Sequence, residues 1–306
     1  MGSGASKKAK ELEDEEDEFD KKNTKKGDKK DGDGDGEDDG PDEYEIGEDG
    51  KKRKKKKQKK DDEYLMHTLK GHKGGINCMA SDVTGQFVIT GSEDKTAIIW
   101  DVTIPKIHKV LKGSKGHKSY ITCVQLLEEF AYTGSADKTV KKWNKITGDL
   151  ELTVEGHAAP INRLICTGDF LFTASYDRTA MCWDPDDGEL LHIFRGHRRG
   201  ITPLMYIPAE DALKDDVIDI ESNKDLFITG SADGSCKSWN MDSGDCEVTY
   251  RGHKGGILCL AADSTGTVLF TGSADCTVRN WNILTGEVFK VFEGHQSAVV
   301  CIQVSL

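Results

Sequence analysis

No stretch of the 306-residue chain is apolar for long enough to span a membrane. The opening MGSGASKKAK leads into an acidic tract rather than into the apolar run of a secretory leader. The nine cysteines are an odd number and include no C-x-x-C pair, which disfavours both a secreted disulfide framework and a zinc site. These absences predict a folded part that faces the cytosol and uses neither a metal nor a cofactor.

Aliphatic side chains are almost absent from residues 1–63, which contain 23 acidic and 18 basic residues. Such a segment buries too little apolar surface to offset the entropy that is lost when a backbone is ordered. We therefore predict a disordered charged tail at 1–63 and a folded domain at 64–306. In that domain acidic residues outnumber basic ones by 31 to 24, so its overall charge gives no reason to expect nucleic acid as a partner.

The tail carries two signals for membrane attachment. Gly2, with Ser6 after it, fits the N-myristoylation pattern, and KKRKKKKQKK at 51–60 would add attraction to an anionic membrane surface. Residues 11–49 oppose that attraction, because they hold 20 acidic and 6 basic side chains. The basic run also resembles a nuclear-localisation sequence or a nucleic-acid patch, although no aromatic residue interrupts it. We favour membrane attachment because Gly2 and the basic run agree, and nuclear import is the alternative.

From residue 64 onward the chain repeats one unit. A Gly-His pair recurs six times, and in five units a serine, an aspartate two residues later and a tryptophan six residues after that aspartate follow it. Chance does not produce this regularity, so the unit is the building block of the fold. The pairs are Gly71-His72, Gly116-His117, Gly156-His157, Gly196-His197, Gly252-His253 and Gly294-His295.

The run before each aspartate, such as FVITGS at 87–92, is apolar on both faces. A strand in an exposed sheet would alternate apolar and polar residues, so each small sheet is expected to lie between two others. A four-stranded sheet formed by roughly 40 residues is typical of a propeller blade, and such sheets stack face to face in a ring. One unit is therefore interpreted as one blade.

The Gly-His pair, S-x-D-x-T and the tryptophan followed by Asp or Asn resemble the motifs of the WD-repeat family over residues 64–306. The stretch 162–183 is similar to one subgroup of that family. The resemblance implies an all-β propeller with five complete blades and part of a sixth. It also implies a non-enzymatic scaffold that binds other proteins.

The two ends of the domain bear on ring closure. After His295 the chain offers one further strand, AVVCIQV, and the resemblance implies that YLMHTL at 64–69 pairs with the last blade. Seven blades are typical of the family, so the chain is expected to be truncated at its C-terminal end. An open arc would expose the faces of its end blades.

The family resemblance implies that the His, Ser, Asp and Trp of each unit form a hydrogen-bonded tetrad. A closed network suits these groups, because a buried imidazole, carboxylate or indole costs free energy unless it is paired. The repeated Ser, His and Asp could also be interpreted as catalytic triads, but a set copied into every unit serves folding rather than one active site. We predict no catalytic residue. The tetrads are His72, Ser92, Asp94, Trp100; His117, Ser135, Asp137, Trp143; His157, Ser175, Asp177, Trp183; His197, Ser231, Asp233, Trp239; and His253, Ser273, Asp275, Trp281.

The residues that follow the histidines and aspartates predict a basic rim. In WD-repeat folds these two loops reach the same rim, and most of the positions hold Lys or Arg here. Because the domain as a whole is acidic, a one-sided basic rim would dock an acidic segment of a partner protein. Solvated surface lysines are the simpler interpretation. The rim residues are Lys73, Lys95, Lys118, Lys138, Arg178, Arg198, Arg199 and Lys254.

Four cysteines, Cys78, Cys123, Cys259 and Cys301, each lie six residues after the histidine of a Gly-His pair. That position predicts the innermost strand of a blade, and the four are interpreted as small buried apolar residues.

The fourth unit contains an insertion at about Ile207–Ser222 that is acidic and mildly apolar. Family geometry implies that it leaves the blade on the rim opposite to the basic one. It is either a binding loop or tolerated extra length.

Overall fold

The computed structural model describes residues 66–209, 225–263 and 265–304, together with the backbone of two short strands nearer the N-terminus. The chain divides into two compact units, Met1–Leu65 and Met66–Leu306.

In the first unit, strand β1 (Tyr44–Ile46) pairs with β2 (Lys52–Lys54) in antiparallel register, with Glu45 opposite Arg53. The remainder of this unit, including Gly2 and most of the basic run at 51–60, lies outside the described residues. The disorder predicted for the tail therefore stays a prediction.

The second unit contains five four-stranded antiparallel sheets. Strands that are consecutive in the chain pair with each other, so each sheet is a meander and forms one blade. The predicted all-β fold with five complete blades is confirmed. The described part of the chain contains no helix that is long and apolar enough to cross a membrane.

The strands are as follows. Blade 1 contains β3 (Ile76–Ser81), β4 (Phe87–Ser92), β5 (Ala97–Asp101) and β6 (Lys106–Leu111). Blade 2 contains β7 (Ile121–Leu127), β8 (Phe130–Ser135), β9 (Thr139–Asn144) and β10 (Leu150–Glu155). Blade 3 contains β11 (Ile161–Cys166), β12 (Leu171–Ser175), β13 (Thr179–Trp183) and β14 (Leu190–Arg195). Blade 4 contains β15 (Ile201–Ile207), β16 (Leu226–Ser231), β17 (Ser235–Trp239) and β18 (Cys246–Arg251). Blade 5 contains β19 (Ile257–Ala262), β20 (Val268–Ser273), β21 (Val278–Asn282) and β22 (Val288–Phe292).

The two middle strands of an interior blade are buried on both faces, as their apolar runs predict. Every residue of β12 and β13 is buried. Met181 and Trp183 pack in a cluster with residues of blade 2, whereas Phe172 and Cys182 pack in a cluster with residues of blade 4. Each sheet therefore lies between two neighbours, and burial of these two faces supplies the hydrophobic core.

The glycine near the end of the second strand lets neighbouring blades approach closely. A Cβ at Gly91 of blade 1 would collide with the side chain of Ile121, which begins the first strand of blade 2. At Gly272 of blade 5 a Cβ would lie 2.9 Å from Cγ1 of Val299. At these two positions the absence of a side chain leaves room for the neighbouring isoleucine or valine, whereas blade 3 holds the small residue Ala174 at the same position.

Within the described ranges, each end blade has one face that no other blade covers. The isoleucine that begins the first strand is 59% exposed in blade 1 (Ile76) but 1% exposed in blade 2 (Ile121). At the other end Phe292 of blade 5 is 38% exposed, whereas Phe194 at the same position of blade 3 is 0% exposed. Among the described residues, the end blades thus expose positions that the interior blades bury.

Two predicted terminal strands are wrong. Residues 66–69, the described part of YLMHTL, form no strand, and neither do residues 298–304. A strand requires a partner that satisfies its backbone groups along its length, and neither segment has such a partner within the described ranges. The C-terminal segment nevertheless packs on blade 5, because the Val299 amide donates to the Ser273 carbonyl at 3.0 Å.

Candidate interaction rim

In all five blades the histidine of the blade's Gly-His pair is hydrogen-bonded to the aspartate of the following turn. The Nδ1 atom of histidine lies between 2.7 and 3.3 Å from the Oδ2 atom of aspartate, and the histidine side chains are 0–4% exposed. The structure thus brings these two members of each tetrad together. The pairs are His72 and Asp94, His117 and Asp137, His157 and Asp177, His197 and Asp233, and His253 and Asp275.

A threonine, and not the serine assigned from the sequence, joins the histidine to the tryptophan. In blade 3 the Trp183 indole donates to Thr173 Oγ1 at 2.9 Å, and that hydroxyl lies 2.7 Å from His157 Nε2. The same bonds occur in the other four blades with distances of 2.8 to 2.9 Å. The threonines are Thr90, Thr133, Thr173, Thr229 and Thr271.

The serine hydroxyl forms hydrogen bonds with backbone groups instead. Its Oγ accepts a hydrogen bond of 3.1 Å from the amide of the aspartate two residues later in every blade. Ser135, Ser175 and Ser231 also donate to carbonyls of the preceding loop. The assignment of serine to the side-chain network is therefore wrong, because the hydroxyl two residues earlier is the one beneath the indole. Since the assigned serine bonds backbone groups and not the imidazole, it is not linked to the His–Asp pair in the way that a catalytic triad requires.

One direction of donation satisfies the whole network. A carboxylate accepts from Nδ1–H of a neutral imidazole, whose Nε2 then accepts from the threonine hydroxyl, which in turn accepts from the indole N–H. Burial opposes ionisation of Asp94, but hydrogen bonds from Thr96, the Lys73 amide and His72 outweigh it and hold the pKa of Asp94 well below its ordinary value. Burial lowers the pKa of His197 despite the opposing charge of Asp233. Both shifts favour a carboxylate beside a neutral imidazole.

The cysteine thiols of the innermost strands are poor nucleophiles. Burial raises the pKa of the Cys78 and Cys259 thiols to about 11 and that of Cys123 to about 12, which disfavours the nucleophilic thiolate. These three lie on the innermost strands, as predicted. The prediction for Cys301 is wrong, because it is exposed and lies outside any strand. No group of His, Cys, Asp and Glu among the described residues could hold a metal ion.

The His–Asp pair also places the two rim loops side by side. The amide of the residue after histidine donates to Oδ2 of the tetrad aspartate, at 2.8 Å for Lys73, Lys118 and Lys254 and 2.7 Å for Arg198. The residue after the aspartate belongs to the same turn, so side chains from both loops share one rim. All eight predicted rim residues are exposed.

The rim residues after the aspartates adopt a left-handed backbone. The φ angles of Lys95, Lys138 and Arg178 are 69°, 75° and 73°, and Gly234 occupies the same position of blade 4 with φ 81°. This conformation favours glycine, because a side chain costs about 1 kcal/mol there. The three cationic residues thus occupy positions at which glycine would strain the backbone less.

The opposite rim carries mainly carboxylates. It contains the turns that join the third and fourth strands, including Asp149, Asp187 and Asp245. The insertion predicted at about Ile207–Ser222 leaves blade 4 on this rim, since β15 ends at Ile207, at the opposite end of the strand from the Gly-His loop. Beyond residue 209 the insertion lies outside the described residues. The rim that contains the Gly-His loops is therefore basic, whereas the opposite rim is acidic.

Sequence reasoning missed a cavity that residues of four first strands line. It has a volume of about 690 Å³ and is lined by Asn77, Thr122, Asn162 and Thr202, which each follow the isoleucine of a first strand, with Glu93 and Tyr120. The Asn77 and Asn162 amides donate to the Ile121 and Ile201 carbonyls of the next blade at 2.9 and 2.7 Å. The sequence feature that could have indicated this cavity is the polar residue after the isoleucine of each of these first strands. Because these side chains tie consecutive blades together, their first role is structural.

Comparison with known families agrees with this architecture. The WD40 family, described as WD domain, G-beta repeat, matches residues 63–101, 108–144, 148–184, 188–240 and 244–282. Each match contains the first three strands of one blade, and the last four matches also contain residues of the fourth strand of the preceding blade.

Known proteins and a solved structure show the same relationship. The chain is 40% identical to WD repeat-containing protein 86 of Homo sapiens over 201 residues, which cover 66% of this chain and 53% of that protein. That protein represents the subgroup indicated by residues 162–183. U3 small nucleolar RNA-associated protein 13 of Saccharomyces cerevisiae is 28% identical over 63% of this chain and 19% of its own length. The crystal structure of the computationally designed Ika8 protein superposes with a TM-score of 0.65 and 29% identity, covering 78% of this chain and 68% of that one. The repeated network, the five blades and these matches together show that the chain belongs to the WD-repeat family.

Proposed function

We propose that this chain is a non-enzymatic scaffold whose basic rim docks acidic segments of partner proteins. The observation that carries the proposal is that exposed Lys and Arg side chains occupy both loops that the His–Asp pairs hold together, whereas the opposite rim carries mainly carboxylates. Such a field attracts an acidic segment to one side of the domain. Since the chain spans about half the length of WD repeat-containing protein 86, the proposal concerns this chain alone.

A fluorescent poly-glutamate peptide is a suitable probe of the rim. We expect the wild-type chain to bind it and to lose affinity as salt shortens the screening length from about 30 Å at 0.01 M to about 8 Å at 0.15 M. Arg178→Glu with Arg198→Glu should weaken binding strongly, because both side chains lie on the rim. Lys106→Glu with Lys290→Glu is the matched control, since it makes the same charge change at exposed positions outside the predicted rim.

If both double variants bind the peptide with wild-type affinity and salt dependence, the rim does not dock acidic segments. Equal losses in both would indicate a response to net charge alone and would also contradict the proposal.

We further propose that the tail attaches this scaffold to membranes through myristate on Gly2 and the basic run at 51–60. Sequence supports this proposal through the agreement of the two signals. The alternative is a nuclear factor that brings the scaffold to chromatin or RNA, and the name of the relative U3 small nucleolar RNA-associated protein 13 favours it.

Labelled myristate and localisation separate these alternatives. We expect the wild-type chain to incorporate radiolabelled myristate and Gly2→Ala not to, and membrane localisation to require both Gly2 and residues 51–60. No label in the wild-type chain, with nuclear localisation that depends on 51–60 alone, would favour the nuclear alternative.

A further inference from the structure

The loop that enters blade 2 differs from the loops that enter blades 3, 4 and 5. In those blades the last residue of the preceding outer strand is followed directly by the Gly-His pair, as Glu155 is by Gly156. Before blade 2, Gly113–Lys115 stand between Lys112 and Gly116. The Gly116 amide donates to the Gly113 carbonyl at 2.9 Å, so the extra residues form a tight turn.

This turn moves the glycine of the Gly-His pair away from its usual place. Gly156, Gly196 and Gly252 lie against the tryptophan ring of their own blade, whereas the atoms nearest to Gly116 belong to Gly113 and Lys112 of its own loop. A cavity of about 430 Å³ opens between the turn and the end of β10. Ligand pockets in proteins typically have this volume.

Four lysines line the cavity, together with Glu155 and the network residue Asp137. Three of them, Lys115, Lys118 and Lys138, are exposed at its mouth, and Lys118 and Lys138 belong to the basic rim. The fourth, Lys141, is only 8% exposed, and its Nζ donates to Thr153 Oγ1 at 3.0 Å. No carboxylate of the described residues lies within ion-pair distance of that ammonium group. Burial lowers the pKa of Lys141 although the charges of Asp137 and Glu155 oppose that shift, and an anion in the cavity would further stabilise the charged form.

We propose that this cavity between the inserted turn and β10, the lysine cavity, binds a phosphorylated side chain of a docked partner segment. A phosphate monoester carries nearly two negative charges and three strong acceptor oxygens, which suits several ammonium groups better than a single carboxylate does. This inference rests on the proposed function, because the partner segment reaches the cavity along the basic rim.

Blade 4 supplies a matched control. Lys237 is also 8% exposed, and its Nζ donates to Thr249 Oγ1 at 2.9 Å, the counterpart of the Lys141 bond. Its blade has no inserted turn, and the position of a Cβ on Gly196 lies 3.5 Å from Lys237 Cε. Lys237 is therefore a buried lysine in the same setting without the inserted turn.

The test measures binding of inorganic phosphate and of an acidic phosphoserine peptide to the full chain by calorimetry. We expect Lys141→Met to weaken phosphate binding about tenfold or more, because a charge-assisted hydrogen bond is lost. Lys237→Met should bind phosphate as the wild type does. Deletion of Gly113–Lys115, which restores the spacing of the other blades, should abolish binding while circular dichroism shows an intact fold.

Phosphate binding that is absent from the wild type, or equal in the wild type, Lys141→Met and Lys237→Met, overturns the inference. If the deletion variant fails to fold, the comparison of Lys141→Met with Lys237→Met still tests the inference. The serine form of the peptide separates phosphate recognition from rim docking, and tighter binding of the phosphopeptide than of free phosphate identifies a protein segment as the source. Arg178→Glu with Arg198→Glu leaves the lysine cavity intact, so loss of poly-glutamate binding with retained phosphate binding distinguishes the two proposals.

Discussion

Blade 1 and blade 3 contain the same internal network in different surroundings. In both, histidine, aspartate, threonine and tryptophan are joined at nearly equal distances, and the tryptophans are 3% exposed. Yet Ile76 is 59% exposed, whereas Ile161 at the same position of blade 3 is 1% exposed. The comparison shows that each hydrogen-bonded network forms within one blade, whereas the hydrophobic core forms between neighbouring blades.

The largest difference between the two blades is expected at these isoleucines. Ile161→Ala should lower the free energy of unfolding by about 2–5 kcal/mol, because it opens a cavity between blades 2 and 3. Ile76→Ala should change it by no more than about 0.5 kcal/mol, because its side chain faces solvent. Urea denaturation of both variants gives these values. Equal losses would mean that a covering surface lies on blade 1.

A substitution within the network should lower the free energy of unfolding by similar amounts in blade 1 and blade 3. Thr173→Val and Thr90→Val keep the side-chain volume but leave an imidazole nitrogen and an indole N–H without their partner, at a cost of about 1–3 kcal/mol in each blade. Hydrogen exchange resolved by blade, together with denaturation, measures the effect. Ser175→Ala is the control for the serine assigned from the sequence, and a larger loss there than in Thr173→Val would contradict the threonine network.

A decrease in pH should weaken the hydrogen-bonded networks of blades 4 and 5 before it protonates their aspartates. Burial lowers the folded-state pKa of His197 and His253 below the ordinary value of 6.5, so the unfolded chain binds protons more readily. The contribution of these two histidines to the free energy of unfolding is therefore complete above pH 6.5 and decreases as the pH falls below that value. Thermal unfolding of the wild type and of His197→Asn between about pH 8 and pH 5 tests this. An equally steep decline in the variant would mean that His197 does not contribute.

The smallest effect is expected at the left-handed rim residues. Lys95→Gly and Lys138→Gly should stabilise the fold by no more than about 1 kcal/mol, since relief of backbone strain is partly offset by the greater freedom of glycine when unfolded. The reverse change, Gly234→Ala, should destabilise blade 4, where a Cβ would lie 3.1 Å from the His253 carbonyl oxygen. Thermal unfolding measures all three. A loss of stability in both lysine variants would show that their side chains stabilise the fold.

Threonine was missed because two hydroxyls share one face of the same strand. Thr173 and Ser175 are two residues apart, and side chains at that spacing point to the same side of a strand. Strand register decides which of them meets the indole, since Leu171 pairs with Trp183 and Thr173 lies next on that face. Nothing in the repeat pattern ranks one hydroxyl above the other.

Position in the stack explains the other differences. Cys123 and Cys301 occupy the same place in the repeat, but Cys123 lies on a paired first strand and Cys301 does not. The lysine cavity likewise required the structure, because three additional residues in a loop can close against a blade as readily as they open a gap.

The sequence by itself determined the number of blades, the limits of most strands, the His–Asp pairs and the position of the cationic rim, because all of these depend on residues that recur at regular spacing within a unit. Only the tertiary structure decided which hydroxyl completes the network, which faces are covered and where the lysine cavity opens. Those features depend on strand register and on contacts with a neighbouring blade, and neither is encoded in the spacing of a single repeat.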